Sequence, residues 1–177
     1  ADHARLAVWD GYFIIDKVCF AISKTTDIQT WIITKQRKYR IPNHRVIVDE
    51  DGVGGGVVDN CDCNGFVNNS TAMQGENYQN LQTQCGYKLA EHINAHEVGI
   101  DEDLVSQADR EQITRELEQL QTWKADSDGK LKLKPKEEIK VEIGCSPDWR
   151  DMFLMRCWFD YNEVDIPDNI ERILGLT

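Results

Sequence analysis

Apolar and polar positions divide the chain into short strands and longer amphipathic helices. Arg5 to Trp9 reads as a strand, Asp10-Gly11 as a two-residue hairpin turn, and Tyr12 to Ile22 as a longer strand rich in aromatic and β-branched residues. Ile28, Trp31, Ile32 and Tyr39 fall at helical spacing, which predicts a helix from about Ile28 to Tyr39. Thr26-Asp27 stands at its start and Pro42-Asn43 breaks the chain beyond it. Arg45 to Val48 is a short apolar strand. Val57 to Asp59 suggests a short helix, Phe66-Val67 a brief strand, and Asn68 to Glu76 a polar loop.

The second half is more helical. Tyr78, Leu81, Cys85, Leu89, Ile93 and His96 recur at steps of three or four, predicting one long helix from Asn77 to about Glu97 that ends at Gly99. Ile113, Leu117 and Leu120 form one stripe of a helix from about Ser106 to Leu120. Ser127-Asp128-Gly129 is a turn. Lys130-Leu131-Lys132-Leu133-Lys134 alternates with period two and reads as a half-exposed strand. A short helix is expected over Glu137 to Ile143. Ser146-Pro147 then opens a final helix to about Tyr161 that is apolar nearly all round and therefore buried, with serine as N-cap and proline at the first helical position. Strands alternating with helices after an opening hairpin imply an α/β sandwich with a mixed sheet.

The chain has 177 residues, enough for one domain, and 41% of them are hydrophobic, enough for a core. No apolar run approaches the ~18 residues of a membrane span, and the first residues lack a signal-peptide pattern. A soluble cytosolic protein with reduced thiols is expected. Of the six cysteines only Cys61 and Cys63 lie close together, and a one-residue gap suits a shared zinc poorly, so packed thiols are the favoured reading. The net charge of -11 argues against a sequence-specific DNA binder with a basic face, but not against a nuclease whose carboxylates hold divalent metals.

Val46-Ile47-Val48-Asp49-Glu50-Asp51-Gly52 is the strongest chemical signal: a buried strand ends in three acids and runs into Gly54-Gly55-Gly56. Side chains alternate along a strand, so Asp49 and Asp51 share a face, at the carboxyl end where open α/β sheets bind ligands. The glycine run lacks the lysine and hydroxyl residue of a P-loop, the third glycine of a dinucleotide loop, and the closing ligands of a calcium loop. A metal site and a solvated acidic turn both remain open on residue chemistry alone. Asp148 and Asp151 are three apart on the last helix. Asp148 is explained as well by the helix dipole. Asp151 sits deeper in an apolar helix, where a carboxylate needs a partner such as a cation, Arg150 or Arg156. Lys130, Lys132, Lys134, Lys136 and Lys140 form the one basic cluster, read either as a protected strand edge or as a contact to phosphates.

Taken in order, VIVDEDGVGGGVVD, FVNN, the NYQNL helix, KLKLKPKEEIK and SPDWRDMFLM resemble the nuclease domain of phage and prophage large terminase subunits, over about residues 2 to 160. The resemblance implies a ribonuclease-H-like α/β fold, a mixed sheet flanked by helices. It implies domain limits of 1–163, with 164–177 as a tail. It implies cleavage of double-stranded concatemeric viral DNA by two Mg2+ or Mn2+ ions, one activating a water and the other stabilising the leaving oxygen. By position, Asp49 and Asp148 match the second and third acids, with Asp151 as an alternative or supporting catalytic group and Asp51 as a further metal ligand. Lys132, Lys134 and Lys136 would face DNA. The implied partners are double-stranded DNA, the ATPase domain of the same polypeptide, the small terminase subunit and the portal protein, in the cytosol of a bacterial host and with no membrane. The family pattern differs at the front: the chain opens at the position of Asp2, so the first strand and its metal-binding acid are expected to lie upstream of this sequence, and no P-loop is present. Two rivals remain: a non-catalytic module docking on packaging partners, and a junction-resolvase-like nuclease of the same fold.

Overall fold

A computed structural model of the chain describes residues 3–22, 24–51, 54–124 and 129–162. The expectations for Asp2, for Gly52-Val53, for the turn at Ser127-Asp128 and for the tail 164–177 lie outside them.

Strand β1 (Ala4–Asp10) and β2 (Phe13–Phe20) form the expected antiparallel hairpin, with a bulge between Val8 and Trp9. Gly11 turns the chain with a φ of 57°, a conformation that favours glycine. Helix α1 (Thr25–Tyr39) follows, and Asp16 on β2 anchors it by accepting from Lys35 Nζ at 2.6 Å and Tyr39 Oη at 2.8 Å. Strand β3 (Ile47–Asp49), helix α2 (Gly55–Cys61) and strand β4 (Asn64–Phe66) make a β-α-β unit whose strands pair in parallel. Helix α3 (Leu81–Asn94) is shorter than its apolar stripe, because Asn80 caps it by accepting from the Thr83 amide. Strand β5 (Gly99–Ile100), which the hydropathy pattern misses because it is two residues long, adds in parallel to β2.

Helix α4 (Gln107–Leu117) opens with a capping box between Ser106 and Asp109. The lysine-rich segment is not a regular strand. It makes only isolated bridges, Leu131 to Tyr78 and Leu133 to Thr122. Helices α5 (Lys136–Ile143), α6 (Asp148–Arg156) and α7 (Trp158–Tyr161) complete the described chain, so the expected single last helix is broken at Cys157. None of the helices is long and apolar enough to cross a membrane among the described residues.

Helix α6 lies at the centre. Trp149, Phe153 and Leu154 are essentially fully buried, against Ile14 of β2, Phe66 of β4 and Cys85 and Leu89 of α3. Each such side chain contributes roughly 1.5–3 kcal/mol by burial, so the first turn of α6 is set by the core. A smaller cluster, Ile32, Val57 and Cys61, packs α1 on α2. The sheet is mixed and falls into two parts, β1-β2-β5 and β3-β4. Among the described residues one edge of β1 and one of β3 pair with no strand, and both strands border a cavity of about 700 Å3 that also touches α1 and α6.

Candidate active site

Asp49 is the last residue of β3, and Asp51 lies two residues beyond. Gly54, at the start of α2, approaches the Asp49 carbonyl so closely that a Cβ there would lie 1.6 Å from its oxygen. Asp49 Oδ1 accepts from the Asp51 amide at 3.1 Å and from Asn68 Nδ2 at 3.3 Å. The same Asn68 donates to Asp51 Oδ2 from its side chain at 2.7 Å and from its backbone at 3.1 Å. It therefore clamps the two acids. The sequence reading placed Asn68 at the start of a loop and within the FVNN stretch, and gave it no role at the site. The available signal was its place just after β4, at the carboxyl end of a strand that neighbours β3.

Asp148 and Asp151 approach from α6. Asp148 Oδ2 accepts from the His3 amide at 2.9 Å, just before β1 begins. Asp151 has the partners its position demanded: Lys136 Nζ at 2.7 Å on one oxygen, and Arg150 Nε and Nη2 at 3.0 and 2.6 Å on the other. Asp49, Asp51, Asp148, Asp151 and Lys136 all line the same cavity. Two stretches of sequence about a hundred residues apart thus line one cavity.

The electrostatics agree with this convergence. Burial raises the pKa of Asp49; the Asp51 amide opposes the shift, the charges of Asp51 and Asp151 add to it, and the net is upward. Burial alone would lower Lys136, but Asp151, through charge and hydrogen bond, and then Asp148 raise it. The donor set is all oxygen, which suits Mg2+ or Mn2+. The four acids outnumber Lys136 and Arg150 beside them, and a divalent cation relieves that excess of negative charge. The cage is not closed: among the described residues, no three His, Cys, Asp or Glu side chains converge tightly enough to hold an ion as they stand. The residues fit the chemistry of such an ion without enclosing one as they stand.

The lysine expectation needs correction. Lys132 and Lys134 are buried, at 8% and 7% exposure, instead of facing solvent on a strand. The Lys134 ammonium donates to Gln119 Oε1 at 2.8 Å and pairs with Glu142, so its charge is spent inside the fold. Among those three lysines only Lys136 lines the acidic cavity. Cys61 is buried at the end of α2, and the nearby Cys63 thiol is pushed up to about 11 by burial, with Cys61 and Asp62 adding to the shift.

Neither a protein-family model nor a curated protein matches the sequence. Solved structures do. The nuclease domain of the large terminase subunit gp2 of bacterial virus Sf6 superposes with a TM-score of 0.72 at 19% identity, covering 89% of this chain and 82% of that one. A lysine-to-alanine mutant of that domain with manganese and beta-thujaplicinol gives 0.72 at 18% identity over the same shares of each chain. A mutant with calcium gives 0.69 at 18% identity, covering 88% and 82%. The chain therefore has the ribonuclease-H-like fold of the nuclease domain of a phage large terminase subunit.

Proposed function

We propose that this chain is the nuclease domain of a phage or prophage DNA-packaging terminase, cutting double-stranded concatemeric DNA by metal-dependent phosphodiester hydrolysis. The observation that carries the reading is that Asp49 at the end of β3 and Asp51 just beyond it line one cavity with Asp148 and Asp151 of α6. Fold neighbours solved with manganese or calcium support a divalent cation as the metal.

Asp49 and Asp148 would hold the Mg2+ or Mn2+ ions, with Asp51 as a further ligand. When bound, such ions act as Lewis acids toward phosphoryl oxygen and lower the pKa of a bound water. Asn68 keeps Asp49 and Asp51 side by side against their mutual repulsion. Asp151 and Arg150 orient the Lys136 ammonium, which offers a positive charge to a phosphate at the rim of the acidic wall. Double-stranded DNA is the substrate in this reading. The ATPase domain of the same polypeptide, the small terminase subunit and the portal are the partners.

The reading includes one more strand. The cavity follows consecutive residues of β1 and of β3, each with one edge unpaired to any strand among the described residues. A strand residue fills roughly 160 Å3 at the usual rise and spacings, so the space suits a strand of about four or five residues. His3 lies beside Asp148, at the acidic end of the cavity. A strand entering the chain there would run antiparallel to β1 and parallel to β3, and would end beside Asp49.

The test is plasmid nicking with Mg2+ or Mn2+ by a chain extended upstream, compared with Asp49→Asn and Asp148→Asn. Loss of a ligand should lower the rate about a hundredfold or more, since each ~1.4 kcal/mol of lost barrier reduction is tenfold, with circular dichroism unchanged. Nicking by either variant at the parent rate overturns the assignment. A preference for branched over linear DNA would move it to a junction resolvase.

A further inference from the structure

We propose that Glu116 is a positioning residue for the acidic site: it caps α6 from outside and sets the turn that carries Asp148 and Asp151. The inference rests on the reading of those acids as cation ligands.

Helix α6 begins at Asp148 without a local side-chain cap. Pro147, which precedes it, has no side-chain acceptor, and Ser146 Oγ, the cap suggested by the sequence, is buried without a hydrogen-bond partner among the described residues. The free amides of the first turn still need an acceptor. Glu116 of α4 provides it. Its Oε2 accepts from the Trp149 amide at 2.7 Å and the Arg150 amide at 3.1 Å. Its Oε1 accepts from Gln112 Nε2 at 2.9 Å.

Glu116 is fully buried, at 0% exposure. A carboxylate there is costly unless hydrogen bonds and opposite charge compensate it. The positive end of the helix dipole and the nearby Arg5 supply part of that compensation. Burial still leaves its pKa raised, against the lowering effect of the Arg150 amide, Gln112, the Trp149 amide and Arg5.

The two capped amides lie between Asp148 and Asp151 in sequence. Arg150, whose backbone Glu116 holds, uses its guanidinium to hold Asp151, which in turn holds Lys136. A continuous set of hydrogen bonds thus runs from the interior of α4 to the acidic wall. The Trp149 ring, fully buried and covered by the Arg5 guanidinium at 4.3 Å, also anchors this turn. Glu116 touches neither Asp148 nor Asp151 in any hydrogen bond, so its influence passes through the helix turn.

The test compares the full chain with Glu116→Ala and Glu116→Gln. The glutamine oxygen can accept the same two amides, and Gln112 can reverse its own amide to match. Three quantities are read: hydrogen exchange at the Trp149 and Arg150 amides, the residual dipolar couplings of the Asp148 to Asp151 amides, and the Mn2+ constant from paramagnetic broadening of the Asp148 and Asp151 carboxyls. Glu116→Ala should speed the two amides about tenfold, change the couplings across that turn and weaken Mn2+ about tenfold. Glu116→Gln should restore exchange and Mn2+ affinity to within about threefold and return the couplings to those of the parent. If Glu116→Ala does not fold, Glu116→Met, which fills the volume without an acceptor, takes its place. Parent-like couplings or parent-like exchange in the alanine or methionine variant overturn the proposal, as does a glutamine variant as defective as alanine. A parent chain that ignores Mn2+, while the couplings of its Asp148 to Asp151 turn still change with Glu116, would count against the proposed function and leave the positioning role standing.

Discussion

Asp49 sits half-buried beside Asp51 and Asp151, and its carboxyl holds a proton more tightly in the folded chain than its ordinary value of 3.8 allows. By linkage, a raised carboxyl contributes stability that is fully present below 3.8 and is lost as pH rises through the raised value. The ionised site therefore destabilises the metal-free fold at neutral pH. Asp49→Asn should melt at a higher temperature than the parent at pH 7. The gain should vanish at pH values well below 3.8, and the stabilisation by Mn2+ should vanish with it. Thermal melts across pH, with and without Mn2+, check this, and a lower melting temperature for the variant at pH 7 would sink it. At this scale the acids were legible in the sequence because carboxylates at the end of an apolar strand, or inside an apolar helix, are conspicuous. Asn68 and Glu116 were not, because an asparagine in a polar loop and a glutamate on a mostly polar helix look ordinary. The faint signal for Glu116 was its spacing, three after Ile113 and four before Leu120, on the apolar side of its helix.

Elements depend on the same local rules, and their failures are informative. The glycine run after β3 matches no nucleotide or calcium loop, and Gly54 packs on the chain itself, over the Asp49 carbonyl. Gly54→Ala places a methyl inside that oxygen and must displace β3 from α2. A loss of about 1–3 kcal/mol, in the range of overpacked sites, is expected in urea unfolding, together with a weakened Mn2+ response, because Asp49 moves. A variant as stable as the parent would show that the close approach is not required. The lysine-rich segment erred in the other direction. Its period-two pattern matches a half-exposed strand, yet Lys132 and Lys134 are drawn under neighbouring chain, and Gln119 and Glu142 satisfy Lys134. Periodicity reports which residues share a face, not which face is covered.

The two half-sheets put the strongest demand on the whole molecule. In the proposed reading an added strand satisfies the edges of β1 and β3 and fills the cavity between them. A chain extended upstream through one further apolar strand should melt at a higher temperature and slow the exchange of amides along β1 and β3. Hydrogen exchange read by mass spectrometry distinguishes this from a tail that merely adds length. Unchanged protection at both edges would refute the added strand. A segment bridging two sheets is stabilised by hydrogen bonds on both sides, so the gain should be cooperative and spread across both half-sheets.

Strand and helix periods, the turn at Gly11, the buried character of α6 and the acidic end of β3 were set by local sequence, because each depends on residues within a few positions of one another. The fold class followed from their order. Tertiary structure alone decided which side chains act on which: that Asn68 clamps Asp49 to Asp51, that Lys136 answers Asp151, that Lys134 is spent inside the fold, and that a glutamate on α4 holds the turn of α6. The physical reason is that these interactions join residues far apart in the chain. Their distances are fixed by how the apolar faces pack, and a one-dimensional pattern does not contain that information.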